Sequence, residues 1–285
     1  MVNRKMTFFD YANVVFLSLI SLSMLYPFVY MLAISLSDNV YVLRNEVTII
    51  PKGFTLSSYK AVLSDPQVLR GYANTILYVI LGTGIALLLT VLTAYPLSRK
   101  GLVFSKTVTL MIVFTMLFSG GMIPTFLVVR SLGLMNTIWA MVLPGALSAW
   151  FLFVMRTFFQ GIPNELIESG KMDGLNDFGV LWRIVLPLSK PALATIGLFV
   201  AVGIWNNFMF ALLYLRSEHL YPLQVIIRRL LETGRLSSDV GMDEDTVDQA
   251  LKFTTILVGT IPILIVYPFL QKYFVKGVLI GSVKG

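Results

Sequence analysis

Polar side chains able to do chemistry are scarce in this sequence of 285 residues, and they gather in two places. The first is ELIESGKMDGLNDFGVLWRIVLP, residues 165–187. Glu165 and Glu168 stand three apart with Met172 four further on, a spacing that puts them on one face of a helix. Ser169, Gly170 and Gly174 carry so little bulk that another surface can approach closely. The second place is Trp205-Asn206-Asn207-Phe208, with Tyr214 beyond it. Amides can hold hydroxyl groups and aromatic rings can cover the C–H faces of a flat polyhydroxylated ligand. Trp150 is a weaker addition, because single tryptophans in apolar runs usually pack or anchor at an interface.

A catalytic set is hard to assemble. There is one histidine, His219, and no cysteine, so a Ser/His/Asp triad, a histidine metal cluster, a thiolate site and a disulfide are all disfavoured or excluded. No G-x-x-x-x-G-K-[S/T] loop is present, so any ATP chemistry must come from another polypeptide. No cofactor or metal is expected in this chain. Asp243, Glu244, Asp245 and Asp248 lack the glycine and terminal glutamate of an EF-hand loop and read as a solvated loop leading into a helix.

The elements that must position these residues are apolar. The chain is 56% hydrophobic and 13% charged, about half the ~25% charge of a soluble domain, with a mean hydropathy of +0.81. Six segments approach the ~20 residues that cross a bilayer as a helix, at about 12–35, 72–97, 108–130, 137–158, 191–214 and 251–271. The expectation is an all-α polytopic membrane protein, with residues 1–285 forming a single transmembrane domain. The first segment is uncharged from Ala12 to Leu36, too long for a signal-peptide core, and is expected to stay as an anchor.

Six spans place both termini on one side, which carries twelve basic and five acidic residues; the other side balances at ten and ten. The whole net charge of +7 therefore lies on the terminal side. Its short acid-free flanks, Arg99, Lys100 and Lys106 in one loop and Lys272, Lys276 and Lys284 in the tail, predict cytoplasmic termini. Anionic membrane lipid, not nucleic acid, is the expected partner of that charge.

Residues 165–187 then fall in a cytoplasmic loop, 159–190, between spans four and five. Pro163-Asn164 signals a helix start, and Glu165 sits where the helix dipole favours a carboxylate. Asp173-Gly174 reads as a turn with Gly174 at φ > 0, and Asn176-Asp177 can cap a second helix through Trp182, Arg183 and Ile184, ended by Leu186-Pro187. Taken singly, these features describe an ordinary capped helix–turn–helix. Their full spacing resembles the EAA-type coupling loop of permease subunits in carbohydrate ABC importers of the maltose type. GYANTILYVILGT (71–83), AYPLSRK (94–100), FSGGMIPTFLVVRSLGLMNTIWAMVLP (118–144) and IVLPLSKPALATIGLF (184–199) extend the resemblance over nearly the whole chain. It looks closest to the branch serving complex oligosaccharides and polysaccharide fragments. The one departure is Ser169-Gly170 where the family has an alanine pair.

The resemblance implies a transmembrane subunit of the cell membrane that works with a second homologous permease and two ATP-binding cassette subunits holding ATP and Mg. It also implies an extracytoplasmic sugar-binding protein, facing outer loops 37–71 and 215–250. By the same resemblance, Glu165, Glu168, Ser169, Gly170, Asp173 and Gly174 couple ATPase closure to alternating access. For the pathway two readings stand: Asn206 and Asn207, about 100° apart on a helix, contact substrate, or they bond helix to helix. Gly120-Gly121 with Pro124, and Tyr26-Pro27, can likewise mark a hinge or a close helix contact. A secondary transporter is the alternative from another class, but none of the fifteen acids lies in an expected span and no internal repeat is visible. A membrane enzyme lacks a catalytic set, and a purely structural membrane protein leaves the loop unexplained.

Overall fold

The computed structural model describes residues 7–99, 101–239 and 249–282, and it is helical, with no strand among them. Arg4, Lys5, Lys100, Lys284 and the acids Asp243, Glu244, Asp245 and Asp248 lie outside the described residues. The elements run α1 (Phe8–Ser35), α2 (Asn39–Leu43), α3 (Ser57–Ser64), α4 (Pro66–Ser98), α5 (Ser105–Leu117), α6 (Met122–Ser131), α7 (Ile138–Val142) and α8 (Ala149–Gln160). They continue with α9 (Asn164–Met172), α10 (Asp177–Val180), a π-helical turn Leu181–Val185, α11 (Leu186–Leu188), α12 (Lys190–Trp205) and α13 (Met209–Tyr214). A 3₁₀ turn Glu218–Leu220 precedes α14 (Leu223–Asp239) and α15 (Gln249–Ser282).

The chain divides into two compact units, Met1–Leu69 with Ile226–Ile261 and Arg70–Val225 with Pro262–Gly285. In the first, Thr7 and Asp10 form a reciprocal capping box that starts α1. Pro27 lies inside α1 without ending it, so Tyr26-Pro27 is not a break, and Tyr26 stacks 6.2 Å from Tyr30. Ala33, Ile34, Val42, Val47 and Ala250 form a small core. Glycine at 259 leaves the space that Ile227 of α14 occupies against α15.

In the second unit α4 is the central beam. Its packing on α12 is close where Gly82 meets Ile204 and Gly197 meets Leu87; a Cβ at 82 would lie 2.5 Å from Ile204 Cδ1. Below that contact the main core joins Tyr95 and Leu97 of α4 to Leu152, Met155 and Phe159 of α8, and to Val180 and Val185.

α1 and α4 are each long and apolar enough to cross a bilayer, and the number reaches four if each of the bent pairs α5–α6 (115°) and Asp177–Leu188 with α12 (79°) counts as one span. The expected third segment bends where Gly121 takes φ 80°. The fourth and fifth are not single helices as expected. Residues 143–148, with Pro144 and Gly145 at φ 80°, separate α7 from α8, and residues 206–208 separate α12 from α13. Proline without an amide hydrogen and a glycine in the left-handed region account for the first break.

Candidate functional site

α9 begins at Asn164 after Pro163, with Glu165 in its first turn and Lys171 in its last, so both charges complement the helix dipole. Ile167 and Gly170 are buried, while Glu165, Glu168, Ser169 and Met172 face solvent. A Cβ at 170 would lie 2.5 Å from Ile184 Cδ1 and 3.5 Å from Leu175 Cδ1. The close approach expected of these small residues is thus made at Gly170, toward this chain's own loop, and Ser169 stays outside.

The helix stops by a Schellman motif. Leu175 N donates to Gly170 O (3.0 Å), Gly174 N donates to Lys171 O (3.0 Å), and Gly174 sits at φ 85°. Asn176 Oδ1 accepts from Gly179 N at 2.7 Å and caps α10. Lys171 and Asp177 pair across the turn at 2.9 Å, an exposed contact of small worth. The second helix differs from expectation: Trp182, Arg183 and Ile184 lie in a π-helical turn, and Pro187 does not end the run, which continues through α11 to Leu188. Ser189, fully buried, ties its hydroxyl back to Val185 O at 2.7 Å.

This segment rests on a rigid base. Val180 and Val185 are wholly buried against Leu152, Met155 and Phe159, and Tyr95 meets Phe159 edge-on at 6.2 Å. Arg156 Nε donates to Leu97 O at 2.9 Å, joining α8 to the end of α4. Outward it presents the carboxylates of Glu165, Glu168 and Asp173, which make no hydrogen bond or ion pair among the described residues. Beside them stand Leu166, Met172 (88% exposed), Phe178 and Trp182, apolar side chains turned to solvent. Leu166 and Phe178 escaped the sequence reading, although Leu166 falls off the buried Ile167–Gly170 face of α9. The arrangement is a stiff ledge of acidic and apolar groups.

The span-five residues are not brought together. Trp205 is buried at the end of α12, 6.3 Å from the Tyr72 ring. Tyr214 is 1% exposed and packs on Phe126 and Phe210. Phe208 is half-buried in the break and Trp150 is exposed on α8. Asn206 turns its amide onto Val202 O of its own helix at 3.0 Å, and Asn207 Oδ1 accepts from Phe210 N at 3.1 Å, so neither reaches a neighbouring helix by these bonds. Asn207 lines a cavity of about 230 Å³ with Thr90, Ser148 and the stacked rings of Phe151 and Phe199.

A further polar cluster holds residues 214–223. Asn136, at φ 59°, accepts from Arg216 N and Ser217 N (both 2.9 Å), donates from Nδ2 to Ser217 Oγ (2.8 Å) and from its backbone to Tyr214 O (2.8 Å). From α4, Asn74 donates to His219 O and Tyr221 O, Tyr78 donates to Leu220 O at 2.7 Å, and Thr75 accepts from Leu223 N. No local motif announces partners some 80 to 148 residues apart.

Comparison with known proteins agrees with this architecture. Protein LplC of Bacillus subtilis (strain 168) is 44% identical over 283 residues, covering 97% of this chain and 95% of that protein. The polygalacturonan/rhamnogalacturonan transport system permease protein YtcP of the same organism is 42% identical over 285 residues, covering 99% and 100%. Among solved structures, a chain of a bacterial ABC transporter involved in the import of the acidic polysaccharide alginate superposes with a TM-score of 0.85 at 34% identity, covering 93% of this chain and 96% of that one. Residues 7–280 match the family described as binding-protein-dependent transport system inner membrane component, and the chain belongs to that family.

Proposed function

We propose that this chain is one transmembrane subunit of an ATP-driven importer that moves an oligosaccharide or related carbohydrate across the cell membrane. The observation that carries the reading is the capped α9–Gly174–α10 ledge, stiff on its buried side and acidic on its exposed side. In the proposed complex that ledge seats in a cleft of a separate ATPase subunit. Closure of the ATPase pair then moves α4, α8 and α12 together, because the ledge shares their core. A second permease and an extracytoplasmic sugar-binding protein complete the assembly, six spans cross the membrane, and both termini are cytoplasmic. The cavity beside Asn207 offers amide, hydroxyl and aromatic groups of the kind a sugar path needs. Acidic fragments are the first substrates to try, since one relative's name carries polygalacturonan and one solved neighbour imports alginate.

A mild-detergent pull-down of this chain from its native membrane, with captured proteins identified, tests the reading. Recovery of an ATPase and a second permease is expected, with the ATPase lost on deletion of residues 168–174. Recovery of the chain alone, still active in proton- or sodium-driven uptake, overturns it.

A further inference from the structure

We propose that the loop after α1 carries an apolar crest, Ile49, Ile50 and Phe54, which inserts into the bilayer leaflet at the C-terminal end of that helix. The three side chains are 55%, 74% and 69% exposed. The backbone holds them out. Lys52 N donates to Ser37 Oγ, Asp38 N to Lys52 O, and Thr55 N to Leu36 O, each at 3.0 Å. Ser37, fully buried, donates in turn to Ala33 O of α1 at 2.7 Å. Gly53 turns the chain at φ 61°, and the Tyr41 ring and Asp38 fill the space that a Cβ there would take.

These bonds fix the level of the crest. α1 has 28 residues and so is about 42 Å long, against about 40–45 Å for a bilayer with its headgroups. Of its residues Ala33, Ile34 and Ser35 alone are buried, and the rest of its length offers apolar side chains to the membrane. Lys52 is bonded to residues 37 and 38, just past the end of α1, and the backbone of Ile50 and Phe54 stands within about 7 Å of Lys52. The crest therefore lies at the headgroup layer, continuous with the apolar surface of α1. An exposed apolar cluster at that level is what an interfacial anchor needs. Protein docking surfaces draw chiefly on Trp, Tyr and Arg, and the crest has none of these. The one charge within residues 48–54 is Lys52, which Glu46 pairs at 3.2 Å, so zwitterionic lipid is sufficient. The proposal rests on α1 crossing the bilayer, not on what the complex carries.

The chain has no cysteine of its own, so a nitroxide on an introduced cysteine sits at one known position in it. Ile49→Cys, Ile50→Cys and Phe54→Cys are labelled singly in the purified complex, in phosphatidylcholine nanodiscs with and without phosphatidylglycerol. Spin relaxation then compares collisions with oxygen, which concentrates in lipid, and with a water-soluble nickel chelate. Leu22→Cys, exposed near the middle of α1, sets the depth scale. Oxygen is expected to dominate at all three crest positions, about 5–10 Å inside the headgroup layer and alike in both lipids. Ile50→Asp, with the label kept at Phe54→Cys, is expected to shift that label toward the nickel chelate. Nickel-dominated collisions at all three positions overturn the proposal. Shielding from both reagents also overturns it and assigns the crest to a protein partner, which is the sugar-binding protein if its removal restores nickel access. Nickel access at Leu22→Cys would show instead that α1 does not cross the bilayer, and the proposal would fall with that reading.

Discussion

The α9–α10 segment and the break between α12 and α13 both interrupt apolar sequence with a few polar residues, yet they dispose of those residues in opposite ways. In α9–α10 the backbone satisfies itself through the Schellman bonds and the Asn176 cap, which leaves Glu165, Glu168 and Asp173 turned to solvent. In the break, Asn206 bonds back to Val202 and Asn207 to Phe210. Asn136 does the same for residues 214–217. Polar groups that a segment does not need for its own folding are the ones available to a partner; amides spent on backbone are chiefly structural.

The comparison breaks most readily at Glu168 and Gly174. Glu168→Lys reverses an exposed charge that no described residue uses, so folding is expected to be unchanged while uptake falls by about 5–150-fold, the usual range of a coupling energy. Gly174→Trp adds about 1–3 kcal/mol of backbone strain at φ 85°, although open space surrounds the Cβ position. Both variants are expected to keep ATP binding in the assembled complex. Uptake at the wild-type rate in both would remove α9–α10 as the coupling ledge.

Asn136 tests the structural side. Asn136→Ala removes the acceptor of two backbone amides and places alanine at φ 59°, which is expected to cost about 2–3 kcal/mol. The loss should be read as faster hydrogen exchange at 215–223 with little change at 164–180. Unchanged exchange at 215–223 means that the α4 side chains Asn74, Thr75 and Tyr78 hold that segment by themselves.

Much of α9–α10 was legible because its rules are local. A proline before the helix, a glycine past its end and an asparagine at the next cap each act within four residues, and each stands where the spacing predicted. Even there the π-helical turn at 181–185 was not legible, since it depends on Val185 and Leu181 packing into a core built by α4 and α8. The breaks at 143–148 and 206–208 were hidden by composition, because apolar residues fill both flanks and hydropathy does not register a change of direction. The amides of span five leave two readings open for a related reason: the Phe210 amide that Asn207 accepts from is offered to it only once the helix has broken.

Asn206 and Asn207 sharpen the comparison within one break. Asn206→Leu loses an exposed bond to its own helix and is expected to stay within about 0.5 kcal/mol of wild type. Asn207→Leu leaves Phe210 N without its acceptor and puts a branched apolar group into the 230 Å³ cavity, at a cost of about 1 kcal/mol and a clear loss of uptake. Equal, wild-type-like transport in both variants takes the cavity out of the pathway.

A near-cancellation is expected at Gly170, where propensity and packing oppose each other. Glycine in a helix costs about 1 kcal/mol relative to alanine, so Gly170→Ala alone should stabilise α9. The added Cβ, however, would meet Ile184 Cδ1 at 2.5 Å, and the end of that side chain must move. The two terms are of similar size, and the net change is expected to fall within about 1 kcal/mol of zero. Ile184→Val removes the obstructing methyl at a cost of its own, about 0.5–1.5 kcal/mol when buried. The double variant should therefore be more stable than the sum of the two single changes by roughly 1 kcal/mol, measured as a coupling energy in thermal or denaturant melts. A coupling of zero would mean that Ile184 yields without cost. Glycine at 170 would then owe nothing to contact with Ile184, and the reason for it would have to be sought elsewhere around α9.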